Sequence, residues 1–442
     1  MKTAFRKSFL LATLCGGLLT GQAQTVSADY TPTAENLQAR REFADSKFGI
    51  FLHWGIYSLF AQGEWYMTNA NLSKDEYAKA ADAFYPHRFD AKAWVSAFKA
   101  AGAKYICFTT RHHDGFSMWN TQYSDYNIMN TPYGRDILQQ LADECHLQGI
   151  RLHLYYSHID WTRDDYPMGR TGRGTGKDPR LANWDSYYDF MNNQLRELLT
   201  NYGEVGAIWF DGHWDRDQDS IPFDWQLGPQ YELIHQLQPA CLVGNNHHLS
   251  PFPGEDIQIF ERDVPGENKA GLSGQSVADL PLETCQTMNG MWGYKVADQN
   301  YKSTPELIRL LVRTAGKGAN LLLNIGPQPN GELPAAALQR LQEIGAWTRA
   351  NGKAIYGTRA GGIAQGDTIV STRRGETLYL HVLDPSLTQL QVNIPARVRE
   401  VRSFPDGRPL KYMFRRNCLT LDLDIPEDCI DYIIEVRCGG LD

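Results

Sequence analysis

Val205-Gly206-Ala207-Ile208-Trp209-Phe210-Asp211-Gly212 is an apolar run that stops abruptly on an acid and a glycine. A short continuous apolar segment bounded by turn residues reads as a buried strand, here with a carboxylate at its tip. Seven more runs of this kind lie at 48–54, 104–110, 150–157, 241–245, 256–262, 282–288 and 320–325. Strands apolar on both faces belong to a parallel sheet covered by helices. Helical patterns fill the gaps at 90–101, 135–148, 184–201 and 229–237. Ser303 with Glu306 forms a capping box ahead of 307–312, and Gly316 and Gly318 stop that helix. Pro334 opens another, with Leu338, Leu341, Ile344 and Trp347 on one face, ending at Asn351-Gly352. Strands alternating with helices in this way predict an α/β fold, a (β/α)8-like barrel over residues 30–356. Beyond about 358 the period shortens. Runs at 377–382, 390–394, 419–425 and 432–436 alternate apolar and polar residues between Gly, Pro and Asp turns. They predict a small C-terminal antiparallel β-sandwich over 357–442.

A barrel collects its chemistry at the C-terminal ends of its strands. Those ends read His53-Trp54, Arg111-His112-His113-Asp114, Tyr155-Tyr156-Ser157-His158, Asp211-Gly212, Asn245-Asn246, and Arg262 leading to Glu267. Polar groups able to bond or exchange protons terminate nearly every apolar run, which a purely structural barrel does not require. Asp211 is the sharpest of them. Glycoside hydrolysis needs two carboxyls, one to attack carbon or activate water and one to protonate the leaving oxygen. Candidates for the second are Glu255, Asp256, Glu261, Asp263, Glu267 and Glu283. Glu267 sits in Val264-Pro265-Gly266-Glu267-Asn268, a loop past the sixth strand, and Glu283 begins the seventh, near the opposite rim. His112-His113 could ligate metal, catalyse or bind hydroxyls. Metal-dependent barrel hydrolases place His-x-His on the first strand, and here that strand ends His53-Trp54-Gly55, so no metal is expected. His247-His248 reads as a rim or surface pair.

Composition narrows the function classes. The 442-residue chain has 42% hydrophobic and 21% charged residues, ordinary for a soluble protein, with 11 Trp and 22 Tyr. Lys2, Arg6 and Lys7 precede a short apolar run and small residues, so 1–23 reads as a signal peptide and the protein as exported, periplasmic or extracellular. Cys15 lies in a poor lipobox. Removing three basic and no acidic side chains takes the formal charge from −8 to −11. Such a chain is a poor partner for nucleic acid or anionic membrane, and no later run is long enough to span a bilayer. The seven remaining cysteines are irregularly spaced, which argues against a disulfide framework or a structural zinc site.

Several motifs, in order, carry a resemblance. His53-Trp54-Gly55, Glu64-Trp65-Tyr66, Lys104-Tyr105 through Arg111-His112-His113-Asp114-Gly115-Phe116, Tyr155-Tyr156-Ser157, Ile208-Trp209-Phe210-Asp211-Gly212, Glu283-Thr284-Cys285 with Trp292-Gly293-Tyr294, and Leu322-Leu323-Asn324-Ile325-Gly326-Pro327 are similar to α-L-fucosidases of glycoside hydrolase family 29. The resemblance implies an exo-acting retaining enzyme that works on fucosylated glycans through a covalent fucosyl-enzyme, without metal or organic cofactor. It implies Asp211 as nucleophile and Glu267, placed shortly before Glu-Thr-Cys, as acid/base. His53, His112, His113 and Tyr155 would hold sugar hydroxyls together with the Glu64-Trp65 pair, and Arg262 and Trp292 resemble an Arg and an aromatic near the acid/base. L-Fucose has three free hydroxyls to pair and one methyl to bury, and Trp65, Trp209, Phe210 or Trp292 can meet the methyl.

Overall fold

The computed structural model describes residues 30–440, so the expected signal peptide at 1–23, with Cys15, lies outside the described residues. Eight parallel strands form one sheet: β1 (Phe48–Leu52), β2 (Tyr105–Arg111), β3 (Arg151–Ser157), β4 (Ala207–Asp211), β5 (Leu242–Asn246), β6 (Gln258–Glu261), β7 (Leu282–Thr287) and β8 (Asn320–Ile325). Their order, β5-β4-β3-β2-β1-β8-β7-β6, runs almost all the way round a barrel. The seam between β5 and β6 is a single bridge, Gly244 to Ile257, helped by Asp256. The Asp256 backbone N–H donates to the Val243 carbonyl at 2.7 Å, and its carboxylate accepts the Val243 N–H at 2.8 Å. Arg40 at 2.6 Å and His235 at 2.9 Å satisfy that buried carboxylate. A side chain here does the work that ladder hydrogen bonds do elsewhere.

Side chains alternate across each strand, and this parity builds two separate cores. Ile208 and Phe210 point outward into the large layer between strands and helices. Ala207 and Trp209 point inward, into a small cluster with Phe51, Tyr105, Cys107, Tyr155, Ile257, Ile259, Cys285 and Leu322. The helix Ala34–Ser46 closes the floor of the barrel, with Phe43 packed on Tyr105 (ring centroids 5.3 Å apart) and on His153. The inward residues therefore fill the lower barrel with hydrocarbon and leave only the upper layer open.

The helices begin where short polar side chains can cap them. Asp90, Asp136 and Asn183 accept backbone N–H groups ahead of Ala91–Ala101, Ile137–Gln148 and Trp184–Asn201. The Ser303–Glu306 capping box is formed, ahead of Thr304–Gly316. Strand ends differ from the sequence reading at two places that matter. β5 runs on to Asn246, and β6 stops at Glu261 because Arg262 turns into the left-handed region with φ 65°. Among the described residues no helix is long and apolar enough to cross a membrane.

After the helix Ala335–Asn351 the chain forms β9 (Arg359–Ala360), β10 (Ile369–Arg374), β11 (Thr377–Val382), β12 (Gln389–Asn393), β13 (Arg397–Phe404), β14 (Met413–Arg415), β15 (Cys418–Asp422) and β16 (Tyr432–Gly439). These make a five-stranded and a three-stranded antiparallel sheet around Leu378, Leu380, Leu390, Val392, Leu419, Leu421, Ile434 and Val436. Among the strands not foreseen, β10 is buried over Ile369–Thr372 with polar Ser371 and Thr372 inside, and β13 carries Arg397, Arg399, Glu400 and Arg402 on its more open positions.

Candidate active site

At the upper rim of the barrel a pocket of about 240 Å³ opens above the inner core. Phe51, Trp209 and Cys285, members of that core, form its floor, so the cavity is blind at one end. By the parity that turns Ala207 and Trp209 inward, Asp211 also points in, one layer higher. Its Oδ2 accepts the Tyr155 hydroxyl at 2.9 Å, with His113 Nε2 at 3.6 Å. Its Oδ1 accepts the Gly212 N–H and the Trp214 indole N–H, each at 2.8 Å. Burial, and next the charge of Glu261, push the Asp211 carboxyl up to about 6 despite these donors.

Glu261 faces the same pocket, turned inward from β6 by the parity of Ile257 and Ile259. Its Oε2 accepts the Asn246 amide at 2.9 Å and His248 Nε2 at 3.0 Å. Burial raises its proton affinity, but the His248 and Asn246 donors with the nearby Arg262 outweigh that and hold it below the usual carboxylate range. The two acids influence each other and titrate as a pair rather than as independent sites.

Three imidazoles line the wall, and burial keeps each neutral. His53 and His113 are pulled down to about 3, and His112 is lowered well below its ordinary value. The network fixes one tautomer. The Asn324 amide N–H₂ is engaged by the Trp292 carbonyl at 2.7 Å, so Asn324 Oδ1 accepts from His53 Nδ1, also at 2.7 Å, and His53 Nε2 is left as an acceptor. His113 Nδ1 pairs with the Ser157 hydroxyl at 2.7 Å. His112 Nδ1 and Asn246 Oδ1 are buried with no hydrogen-bond partner among the described residues. Buried polar atoms are nearly always paired, so such orphans beside a pocket mark places for ligand hydroxyls. Trp65, stacked on Trp214 at 5.7 Å and edge-on to His113 at 5.7 Å, adds an aromatic wall, and Trp292 another.

The structure thus brings His53, Trp65, His112, His113, Tyr155, Trp209, Asp211 and Trp292 together around one cavity. Three of the expected site residues lie elsewhere. Glu64 sits behind the wall, where its carboxylate accepts the Gly293 N–H at 2.7 Å and so positions the turn carrying Trp292. Arg262 lies over the Trp292 ring at 5.0 Å and donates to the Gly290 carbonyl. Glu267 does not fold over Asp211. Its carboxylate is ion-paired with Arg313 at 2.7 Å, on the helix Thr304–Gly316, and with Lys269 at 3.0 Å, two cations that hold the 265–268 loop outward. Glu283 is not at the rim either. It is fully buried in the inner core, accepting Tyr105 at 2.6 Å and the Trp209 indole at 2.8 Å. Arg111 and His158 turn outward to Asp160 and Gln230, and Asp114 binds Tyr77. Of the pair expected at the rim, His248 is there, whereas His247 is buried against Glu255 at 3.0 Å. Trp214 and Arg170, which the sequence reading did not single out, complete the pocket.

The chain is similar to known proteins in sequence and in fold. A family model described as alpha-L-fucosidase matches residues 18–353. The alpha-L-fucosidase of Dictyostelium discoideum is 31% identical over 364 residues, 75% of each chain. The human plasma alpha-L-fucosidase is 28% identical over 423 residues, 87% of this chain and 86% of that one. Among solved structures, alpha-L-fucosidase isoenzyme 1 from Paenibacillus thiaminolyticus is similar with a TM-score of 0.81 at 33% identity, covering 92% of this chain and 100% of that one. A GH29 alpha-L-fucosidase from Bacteroides thetaiotaomicron, described as a trapped covalent intermediate with 2-fluoro-fucosyl fluoride, is similar with a TM-score of 0.81 at 25% identity, covering 95% and 99%. The chain belongs to the α-L-fucosidase family, glycoside hydrolase family 29.

Proposed function

We propose that this protein is an exo-acting retaining α-L-fucosidase that releases terminal fucose from fucosylated glycans, with Asp211 as nucleophile and Glu261 as acid/base. The observation that carries this reading is the pair of carboxyls, Asp211 and Glu261, facing one blind pocket beside the neutral imidazoles of His53 and His113. A blind pocket admits a chain end and not a chain interior, which favours exo action. Asp211 attacks the anomeric carbon as Glu261 passes its proton to the departing glycosidic oxygen, giving a fucosyl ester. Water then attacks that carbon, its proton goes to Glu261, and Asp211 leaves as carboxylate. Neither step calls for a metal or an organic cofactor.

The supporting walls suit the substrate. The ring nitrogens of His53, His112 and His113, together with Asn246, offer partners for three hydroxyls, and Trp65, Phe51 and Trp292 offer apolar surface to the methyl. A wrong epimer would leave buried polar atoms unpaired, which such sites reject strongly. Of the two carboxyls Asp211 holds a proton more tightly than Glu261, so the first step uses the form in which the proton sits on Glu261 instead. Export to the periplasm or beyond, expected from residues 1–23, would place this site where free glycans are met.

The test is hydrolysis of an aryl α-L-fucoside and of a fucosylated oligosaccharide. Asp211→Asn should abolish both. Glu261→Ala should keep kcat/KM for the activated aryl substrate but lose kcat, because the second step lacks its base, and should regain turnover with azide, with α-fucosyl azide as product. An Asp211→Asn variant that keeps wild-type rates, or a Glu261→Ala variant that azide does not help, overturns the corresponding role.

A further inference from the structure

Glu261 is held asymmetrically, and the asymmetry bears on which of its oxygens can carry the proton. Asn246 Nδ2 and His248 Nε2 both reach Oε2, at 2.9 and 3.0 Å, whereas Oε1 has no hydrogen-bond partner among the described residues. An amide N–H₂ is an obligate donor, and a histidine nitrogen facing an ionised carboxylate must carry its hydrogen. Oε2 therefore already receives two N–H groups, and a third hydrogen on that atom would collide with them.

The backbone supports the same arrangement. His248 adopts φ 64° and Arg262, the residue after Glu261, φ 65°. Non-glycine residues in that region are uncommon and gather where side-chain placement matters more than backbone ease. The left-handed turn at His248 brings its imidazole back onto Glu261 beside Asn246, the last residue of β5. Next to it, His247 is clamped by the buried Glu255, and its Nδ1 accepts the Leu249 N–H at 3.0 Å, so the loop has little freedom to release His248.

We propose that Asn246 and His248 form a two-donor clamp on Glu261 Oε2 that confines the catalytic proton to Oε1 and makes Glu261 a stronger acid towards the leaving oxygen. The inference rests on Glu261 being the acid/base. Both residues are positioning residues, since they act through Glu261. In the first step the O–H bond at Oε1 breaks as the glycosidic oxygen takes the proton and its bond to the anomeric carbon opens. In the second, a water proton returns to Oε1 while the oxygen of that water bonds to carbon. The clamp stays in place throughout, because Oε2 accepts in both protonation states. Other charged or titratable groups bear on Glu261 too: Asp211 from β4, Arg262 at its own strand end, Cys285 from β7, and His53 and Glu64. Asp211 also feels the charge of His248, so Asn246→Ala is the variant that bears on Glu261 without touching that contribution.

The experiment compares wild type, His248→Ala, Asn246→Ala and Glu261→Ala on two fucosides, one with an activated aryl leaving group and one with an unactivated sugar. Losing a donor raises the proton affinity of Glu261. Because Asp211 holds its proton more tightly than Glu261, the acidic limb of kcat/KM for the unactivated substrate should therefore move up by about one pH unit in either clamp variant, with the basic limb in place in Asn246→Ala. His248→Gln, which keeps an N–H donor, should restore the limb to near its wild-type position and supplies the reading if His248→Ala does not fold. Azide should help only Glu261→Ala, because the clamp variants still possess their base. If Glu261→Ala shows neither leaving-group dependence nor an azide product, the acid/base assignment itself fails. If it shows both, yet the clamp variants leave the acidic limb unmoved, the clamp is refuted and the assignment stands.

Discussion

Trp214→Phe is the substitution whose effect can be worked most fully from the geometry. Trp214 follows Asp211 by three residues, and its indole N–H reaches Asp211 Oδ1 at 2.8 Å. Phenylalanine keeps a ring against Trp65 and removes only that donor. A hydrogen bond to a charged group is worth about 1.5–3 kcal/mol to the ionised form. At about 1.4 kcal/mol per pH unit, its loss raises the Asp211 proton affinity by ~1–2 units. Asp211 already lies near 6, so in the variant it should titrate at about 7 to 8. The nucleophile must be ionised to attack, so the acidic limb of kcat/KM should shift up by that amount. The plateau at high pH should change less, because Asp211 gives up much of its charge to the sugar in the transition state. The assay is the pH profile on an activated aryl fucoside, where protonation of the leaving group matters little. An acidic limb that stays in place would mean that Asp211 does not set it, and the electrostatic reading of the site would fail.

Other consequences follow from single contacts. Glu267→Gln should leave kcat within a few-fold of wild type on a natural-type glycoside and lower only thermal stability, since its carboxylate serves Arg313 and Lys269; a loss of about 10²–10⁴-fold would return it to the acid/base role. His112→Ala should weaken a fucose-like iminosugar by tenfold or more in calorimetry, since its buried Nδ1 awaits a partner; unchanged affinity would remove it from the hydroxyl-binding set. Glu283 is pushed up to about 7 by burial, from an ordinary value of 4.5, so the unfolded chain ionises first as pH rises. Its contribution is intact below pH 4.5 and is lost by about pH 7, costing on the order of 3 kcal/mol. Glu283→Gln should flatten that part of the stability–pH curve in denaturant titrations, and an unchanged curve would show that Glu283 is not protonated in the fold.

The barrel was legible because its strands are nearly continuous apolar runs and its helices carry their caps in sequence. Asp211 was legible for the same reason, as an acid ending such a run. Glu261 also ends a run, Gln258-Ile259-Phe260-Glu261, and the parity that turns Ile259 inward turns it inward as well. That signal was present, but extending the strand through Arg262 blurred it, since nothing local announces that Arg262 turns to φ 65°. Glu267 drew attention as a loop acid in the family's order, whereas its partner Arg313 is 46 residues away and becomes a neighbour only once the helix Thr304–Gly316 packs. Trp214 returns to Asp211 through a short 3₁₀ turn, and Arg170 arrives on a long loop tied down by Asp215, neither of which has a periodic signature. The sandwich strand β13 was hidden by its many charged residues and a register shift between Val398 and Glu400, and β10 by the buried polar pair Ser371-Thr372, both of which break the alternation.

The most direct test of the account is covalent trapping. The wild-type protein is incubated with 2-fluoro-fucosyl fluoride, which slows release of the sugar from a carboxylate ester, and the site of attachment is mapped by peptide mass spectrometry. The account predicts one fluorofucosyl group per chain, on the peptide containing Trp209-Phe210-Asp211-Gly212 and on Asp211 itself, with no label in Asp211→Asn. A label on Glu261 or any other carboxylate, or turnover of ordinary fucosides without a trappable ester, would contradict it.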